Sequence, residues 1–329
     1  MKHPPYHLRI NKAVDRVLLV DILRALGADR KEFSYFSLAG PFLEDLRVMD
    51  HFFPLTRLFS LEEELHTYRR QVFHQFSSRL TLLKKSLGDF LSSDYEPGEH
   101  DVFWLDYTGL KYPLLEEFQT VLKAVPGGTV VKITLRAQPE LELSSLRRRV
   151  AETDVLAIQG QMEKSFEDEF QKVLPHPAAG AFSSLKDFAR MVQQMVRRAA
   201  STALDFAGSD RDFLPVQSAR YNDQTQMVSV TGVVCLRTSM KTVRETLKHV
   251  RFSGFDWSEP VEINVPALSV KERLHLEEHL PVANGKIAGD ELEPALGYRI
   301  DRTDSGSKRQ LTQYALYHRE YPQFVRVAV

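Results

Sequence analysis

Polar side chains follow a short apolar run of the sequence at the point where that run ends. Residues 102–105 are apolar, and Asp106 and Tyr107 come directly after them. A carboxylate and a phenol that leave a buried strand together would lie at the centre of a cleft, where a carboxylate can orient or deprotonate a nucleophile. We therefore expect Asp106 to be functional.

Small residues follow an earlier apolar run at 33–38. Ala39, Gly40 and Pro41 stand there, in front of a helical pattern that begins near Phe42. Small side chains let a ligand approach the backbone and the amino end of a helix, and proline suits a first helical turn. Many tight strand-to-helix turns share this pattern, so the loop alone does not decide between a binding site and a plain turn.

Two acidic residues end further runs, and each has two interpretations. Glu62 follows the run 55–61, where a carboxylate can bond both hydroxyls of a ribose. An acid there also suits the amino end of a helix. Asp89 follows the run 80–83 and could lie beside an adenine amino group, or it could cap a helix. The sequence leaves both alternatives open for both residues.

The elements that would position these residues alternate along the chain. Apolar runs recur every 20–30 residues, at 33–38, 55–61, 80–83, 102–105 and 130–135. Helical patterns lie between them, as in consecutive βαβ units. The sequence thus predicts an α/β fold, a Rossmann-like, doubly wound and mostly parallel sheet, with ligands at the carboxyl ends of its strands.

The alternation stops near residue 140 and divides the chain into three predicted parts. Residues 1–29 form a helical segment, 30–140 the Rossmann-like domain and 141–329 an α+β region that binds an acceptor or a partner. In the last part we predict helices at 140–156, 183–206 and 269–279, a hairpin at 212–237, a loop at 305–307 and a strand at 324–329. The topology of this part does not follow from the pattern.

Composition excludes several classes of protein. The chain has 329 residues, with 43 basic and 44 acidic side chains, so it is not a basic nucleic-acid-binding arm. Its one cysteine, Cys235, cannot form an intramolecular disulfide, which suits a reducing compartment. No apolar run approaches about 18 residues, and no signal-peptide core is present. We expect a cytoplasmic protein with no membrane association.

Taken together, the strand-end residues resemble the class I S-adenosylmethionine-dependent methyltransferase superfamily over residues 30–137. The segment 104–109 and the opening helix near Asn11 are similar to the three-Cys-motif partner proteins of bacterial phage-defence neighbourhoods. The resemblance implies S-adenosylmethionine as cofactor and a direct methyl transfer. It also implies site residues, with Asp106 orienting or deprotonating the acceptor and Tyr107 lining the methyl path. The cofactor-binding residues that it implies are Ala39, Gly40, Pro41, Glu62 and Asp89.

The first loop departs from the pattern of that superfamily. Ser37 stands where an acid is usual, Ala39 replaces a glycine, and Pro41 follows Gly40. These departures imply less room for the methionine part of the cofactor. A catalytically inactive subunit or nucleotide sensor of a phage-defence complex, with a protein partner, is therefore the alternative. A pocket filled by Pro41, Phe42 or Phe90 would favour that alternative.

Two further patterns each have two interpretations. The string from His275 to His279 fits a zinc-binding motif, but no third ligand is evident, so we predict no metal site. Bases alternate with aromatic residues near the carboxyl end, which predicts either a surface for single-stranded nucleic acid or aromatic packing within the domain. This group is Lys308, Arg309, Tyr314, Tyr317, His318, Arg319, Tyr321 and Arg326.

Overall fold

A computed structural model describes residues 9–30, 32–53, 57–139, 155–175, 181–205, 209–282 and 286–322. Within these residues eight strands form one sheet in the order β3-β2-β1-β4-β5-β7-β6-β8. In chain order the strands are β1 (Ser34–Ser37), β2 (Arg57–Leu61), β3 (Leu80–Leu83), β4 (Asp101–Asp106), β5 (Val130–Arg136), β6 (Arg211–Asn222), β7 (Gln226–Leu236) and β8 (Val261–Ile263).

The first five strands are parallel and stand in the order 3-2-1-4-5. This is the order of the first five strands of a Rossmann sheet. The next position is taken by β7, which runs antiparallel to β5 along its whole length. The predicted fold class is confirmed: the sheet is mostly parallel, Rossmann-like and flanked by helices.

Helices connect the strands of the sheet, and within the described residues three further helices follow β8 in the chain. Their bounds are α1 (Ile10–Ala25), α2 (Glu44–Phe52), α3 (Leu65–His74), α4 (Leu87–Ser93), α5 (Tyr112–Ala124), α6 (Val155–Phe170), α7 (Leu185–Leu204), α8 (Met240–Leu247), α9 (Val270–Glu277), α10 (Ala288–Leu296) and α11 (Asp304–Tyr317). None of these helices, within the described ranges, is long and apolar enough to cross a lipid bilayer.

The central strand β4 shows why the sheet has helices on both faces. Its alternate side chains enter two different cores: Phe103 and Leu105 pack in one, and Val102 and Trp104 in the other. All four are at most 3% exposed. A strand that is apolar on both faces must be covered on both, which is the arrangement typical of parallel sheets.

The hairpin predicted at 212–237 is confirmed as β6 and β7, which extend the parallel sheet. Cys235 lies in β7, is 1% exposed and carries a free thiol. Burial is the main cause that raises the pKa of this thiol to about 11. The thiol is therefore protonated at neutral pH and inert, because the thiolate is the reactive form.

Contacts between α-carbons divide the chain into two compact units. The larger holds Leu19–Arg220 and Gln224–Val261, and the smaller holds residues up to Leu18, Tyr221–Asp223 and the chain from Glu262 onward. The predicted boundary at residue 140 falls outside the described residues. The smaller unit is thus assembled from three separate stretches of the chain.

A buried amide joins those three stretches within the smaller unit. Asn11 is 5% exposed, and its Nδ2 donates to Asp223 Oδ1 at 3.0 Å and to the carbonyl of Asn222 at 3.1 Å. Its Oδ1 accepts the backbone N–H of Val265 at 2.7 Å. Asp223 also accepts the backbone N–H of Lys12 at 2.7 Å, so it caps the first turn of α1 from a distance.

The predicted loop at 305–307 is wrong, because these residues lie in the first turn of α11. Thr303 caps this helix by accepting the N–H of Gly306 at 3.1 Å. A Cβ at Gly306 would lie 2.4 Å from Asp301 Oδ1 and 2.6 Å from Thr303 Oγ1, so a larger residue there would displace these two side chains. The helix predicted at 269–279 is confirmed as α9, with the expected capping box at Ser269. The strand predicted at 324–329 and most of the helix predicted at 140–156 lie outside the described residues.

Candidate active site

The carboxyl ends of β1, β2 and β4 lie side by side at one edge of the sheet. Ser37 at the end of β1 is in register with Ser60 of β2 and with Trp104 of β4. The loop after β1, Glu62 after β2 and Asp106 at the end of β4 therefore emerge at the same edge. Ligands bind beyond this edge in open α/β sheets.

The loop after β1 is held by a buried glutamine from α3. Gln71 is fully buried, and its Nε2 donates to the carbonyl of Gly40 at 2.9 Å. Its Oε1 accepts the hydroxyl of Ser60 at 3.1 Å. Gly40 has φ 59°, in the left-handed region that glycine adopts without strain. Gln71 thus fixes the small-residue loop to the end of β2.

A second buried link supplies a carboxylate at the end of β1. Asp45, in the first turn of α2, is 6% exposed. Its Oδ2 accepts the hydroxyl of Ser37 and, at 3.0 Å, the hydroxyl of Tyr35. Ser37 stands where the methyltransferase superfamily usually has an acidic residue. In this chain a carboxylate at that place is supplied by Asp45 of α2. Neither Asp45 nor Gln71 can be recognised from the sequence, because nothing in their spacing separates them from polar residues that face solvent.

The aromatic side chains that could close the loop have packing partners of their own. Phe42 is partly buried, and its ring centroid lies 5.3 Å from that of His74 and 4.8 Å from the guanidinium carbon of Arg70. Phe90 is 3% exposed and packs 5.4 Å from Phe36 in the core. Both rings are thus stabilised by neighbouring elements of the fold.

Glu64, and not Glu62, has the helix-end role that one interpretation gave to Glu62. Glu64 is the N-cap of α3, where it accepts the N–H groups of His66 and Thr67, and these bonds lower its pKa. Glu62 stands at the strand end and accepts the N–H of Glu64 at 2.8 Å. Partial burial, opposed by that backbone bond, raises the pKa of Glu62 above the ordinary 4.5. Glu62 is therefore not the helix cap.

Asp89 lies on the exposed side of α4, three residues inside the helix. The cap of this helix is Ser86, whose hydroxyl accepts the N–H of Asp89 at 3.1 Å and donates to Asp89 Oδ2 at 2.7 Å. The alternative that Asp89 is itself the cap is wrong, because a serine with extended backbone precedes the first turn. Contact of Asp89 with an adenine stays a prediction.

Asp106 and Tyr107 leave β4 in opposite directions. Asp106 is partly exposed and pairs in register with Thr134 of β5. Tyr107 is 8% exposed, and its hydroxyl donates to Glu117 Oε2 of α5 at 2.5 Å. Burial first, and the Glu117 carboxylate second, raise the pKa of this phenol well above 10. The phenol is therefore neutral at physiological pH, and its hydroxyl donates to Glu117 of α5.

The remaining sequence patterns have structural roles in the smaller unit. His275 Nε2 lies 2.9 Å from the carbonyl oxygen of Ala295, and no group of three or more potential metal ligands occurs in the described part of the chain. Tyr314 and Tyr317 are fully buried and Tyr321 is 6% exposed. These three rings pack inside the unit, so they do not form a surface on which nucleic-acid bases could stack. Arg326 lies outside the described residues.

Residues 4–329 match the family described as "Putative O-methyltransferase". The chain belongs to this family. The predictions of a methyltransferase-like protein and of S-adenosylmethionine as its cofactor are thereby confirmed. A search of curated protein sequences finds no match.

Among solved structures, three methyltransferases illustrate the likeness at low sequence identity. The O-methyltransferase TomG from Streptomyces achromogenes, in complex with S-adenosylmethionine, is 13% identical, over 67% of this chain and 79% of that one, with a TM-score of 0.35. Trm1 from Pyrococcus horikoshii, with S-adenosylmethionine, is 11% identical, over 71% and 57%, with a TM-score of 0.40. The plantazolicin methyltransferase BpumL, with S-adenosylhomocysteine, is 11% identical, over 68% and 85%, with a TM-score of 0.33.

Proposed function

We propose that this protein transfers a methyl group from S-adenosylmethionine to an oxygen atom of its acceptor, at the carboxyl edge of the parallel strands. The family match over residues 4–329 carries this proposal. The arrangement of the strand ends supports the location, because the loop after β1, Glu62 and Asp106 emerge at the same edge.

The residues at this edge suit the cofactor. Ala39 and Gly40 carry almost no side chain, and the left-handed Gly40 lets the backbone approach a ligand closely. Glu62 supplies a half-buried carboxylate for the ribose hydroxyls, Pro41 borders the loop, and Asp89 is the candidate for the adenine. Acidic groups also favour a positively charged sulfur centre electrostatically. Bound here, the cofactor supplies an electrophilic methyl group.

We propose Asp106 as the catalytic residue. Its carboxylate accepts a hydrogen bond from the acceptor hydroxyl and takes the proton as that oxygen gains the methyl group. Tyr107 is then a positioning residue: its hydroxyl binds Glu117 and ties the end of β4 to α5. This replaces its expected place along the methyl path, because the phenol points to α5.

Calorimetric titration with S-adenosylmethionine tests the cofactor site. We expect saturable binding that weakens by about tenfold to a hundredfold in Glu62→Ala, which loses a charge-assisted hydrogen bond. Glu63→Ala is the matched control, since Glu63 is an exposed neighbour, and its affinity should equal that of the wild type. Absence of binding to the wild type, or equal losses in both variants, would overturn the proposal.

Methyl transfer from radiolabelled cofactor to a panel of hydroxylated small molecules tests the role of Asp106. We expect Asp106→Asn to bind the cofactor as the wild type does and to lose about a hundredfold or more of the transfer rate. A variant that still transfers the label at the wild-type rate would remove Asp106 from the mechanism.

We also propose a cytoplasmic location and a protein partner from a defence complex. The similarity of segment 104–109 to the three-Cys-motif partner proteins supports the partner, and the single free thiol of Cys235 supports the location. Within that segment Trp104 is fully buried and donates to Thr134 Oγ1 at 3.0 Å, so its role is in the core. Co-purification with the products of neighbouring genes tests the partner.

A further inference from the structure

A cavity opens at the amino ends of the parallel strands, opposite the edge that holds the proposed cofactor site. Phe33 precedes β1, His100 precedes β4 and Gly128 precedes β5, and all three line it. The cavity has a volume of about 170 Å³. A buried cavity of roughly 150 Å³ lined by apolar side chains can hold benzene, so the volume suits one six-membered ring.

The lining of this cavity is mostly apolar. Leu23 of α1, Phe33, Val102 of β4 and Val130 of β5 are each at most 3% exposed, although all four face the cavity. Val243 of α8 also lines the cavity. An unfilled cavity loses the contacts that a close-packed core would have, so a ring placed here gains dispersion and apolar burial.

Two polar residues define the kind of ligand. The carboxylate of Asp101 is 1% exposed and already accepts the hydroxyl of Tyr95 at 2.7 Å and the N–H of Gly98 at 2.8 Å. His100 is partly exposed, and its Nε2 lies 3.7 Å from Glu99 Oε1, beyond hydrogen-bond distance. The described lining includes no lysine or arginine. The cavity therefore suits a neutral ring with one polar substituent that can bond His100, and it disfavours an anion.

We propose that this cavity is a second ligand site, which binds a small neutral aromatic molecule with a hydroxyl or similar group directed at His100. The site is separate from the cofactor edge, because the parallel strands β1, β4 and β5 begin at one and end at the other. The proposal therefore does not depend on the proposed methyl transfer.

Fluorine NMR titration with 4-fluorophenol tests this site, with fluorobenzene and 4-fluorobenzoate as comparison probes. We expect saturable binding of 4-fluorophenol to the full chain. Fluorobenzene should bind more weakly, because it lacks the hydroxyl. 4-Fluorobenzoate should bind about tenfold more weakly or worse, because its charge would be buried unpaired. Binding of 4-fluorophenol that does not saturate, or equal binding of the three probes, would overturn the proposal.

Val243→Phe should fill the cavity and weaken the binding of 4-fluorophenol by about tenfold or more. Thr242→Phe adds a ring at the exposed neighbouring position of α8 and should leave the affinity unchanged. If Val243→Phe fails to fold, Ala28→Leu is the second variant, because Ala28 also lines the cavity. It should weaken the binding of 4-fluorophenol in the same way. Equal affinity in the filled variant and in Thr242→Phe contradicts the assignment.

His100→Leu should abolish the preference for 4-fluorophenol over fluorobenzene while both still bind. Glu62→Gln, in the cofactor site, should leave 4-fluorophenol binding as in the wild type. A loss in Glu62→Gln would show that the probe occupies the cofactor edge and would refute a second site. Failure of the methyl-transfer proposal and failure of this one are thus measured by different variants.

Discussion

At the scale of single residues, the proposed role of Glu62 makes cofactor binding depend on pH. Partial burial raises the pKa of its carboxyl group above 4.5, so this group takes up a proton earlier than an ordinary glutamate as the pH falls. Only the ionised form accepts hydrogen bonds from two ribose hydroxyls. We expect the affinity for S-adenosylmethionine to fall as the pH drops through a midpoint above 4.5, measured by calorimetry across a pH series.

Glu62→Gln provides the control for this titration. Its affinity should be lower at neutral pH and should not follow the same curve in acid. Because a raised pKa means that the folded state favours the protonated form, the charged Glu62 costs stability at neutral pH. The variant should therefore unfold at the same denaturant concentration as the wild type or a higher one. A less stable Glu62→Gln contradicts the burial argument.

Two tyrosine–glutamate pairs allow a matched test of burial. Tyr107 donates to Glu117 at 2.5 Å and is 8% exposed, whereas Tyr298 donates to Glu272 at 2.6 Å and is 51% exposed. Tyr107→Phe should lower the free energy of unfolding by about 1 kcal/mol or slightly more. Tyr298→Phe should change it by less than about 0.5 kcal/mol. Equal values in urea denaturation would show that Tyr107 has no special role in tying β4 to α5.

At the scale of elements, Gln71 makes α3 the anchor of the loop after β1. Gln71→Leu keeps the shape of the side chain but leaves the Gly40 carbonyl and the Ser60 hydroxyl without this partner. We expect a loss of about 1–3 kcal/mol in unfolding free energy and a weaker affinity for S-adenosylmethionine. Gln75→Leu, at the exposed carboxyl end of the same helix, should leave the affinity unchanged.

The double variant Ser60→Ala with Gln71→Leu separates stability from positioning. Removing the Ser60 hydroxyl removes one of the two unsatisfied groups, so part of the stability should return. The affinity for the cofactor should stay low, because the Gly40 carbonyl is still not held. If stability and affinity recover together, Gln71 acts on the cofactor only through the general stability of the fold.

The elements differ in how far the sequence predicts them. The strands β1 to β5 follow from alternating apolar runs and helical patterns, and β3 has the predicted bounds. The hairpin β6–β7 was predicted as a hairpin, but its pairing with β5 was not. Val130 pairs with Val233 and Arg136 with Met227, across about a hundred residues, and no local pattern encodes a partner so far away. Residues 305–307 begin α11 and do not form the predicted loop, because glycine and serine also suit a helix start when a threonine caps it.

The residues of the candidate site show the same difference between local patterns and contacts made only in the folded chain. Glu62 and Asp106 lie next to strand ends, so an apolar run and its last residue are enough to predict their positions. Asp45 and Gln71 act from helices, through bonds to Ser37 and to Gly40 that only the folded chain creates. Tyr107 was correctly placed at the end of β4, but its direction toward Glu117 depends on where α5 packs.

At the scale of the whole molecule, the residues of the proposed cofactor site all belong to the larger compact unit. Asp223→Ala removes the cap of α1 and one partner of the buried Asn11 amide, both in the smaller unit. We expect this variant to lower the free energy of opening of the smaller unit by about 2–4 kcal/mol. Hydrogen exchange of the α1 and α11 amides measures this change. The affinity for S-adenosylmethionine should not change. Asp210→Ala, an exposed acid near the start of β6, is the control.

The bond from Val265 to Asn11 spans 254 positions along the chain, and the one from Asn11 to Asp223 spans 212. At about 5–20 residues per second, a ribosome needs on the order of 10–50 seconds to make that intervening length. The parallel strands can pair while the nascent chain is still growing, but Asn11 and the first turn of α1 must wait until Asp223 and Val265 have been made. A protease or a chaperone that acts during synthesis would therefore meet the first turn of α1 before its bonds to Asp223 and Val265 have formed.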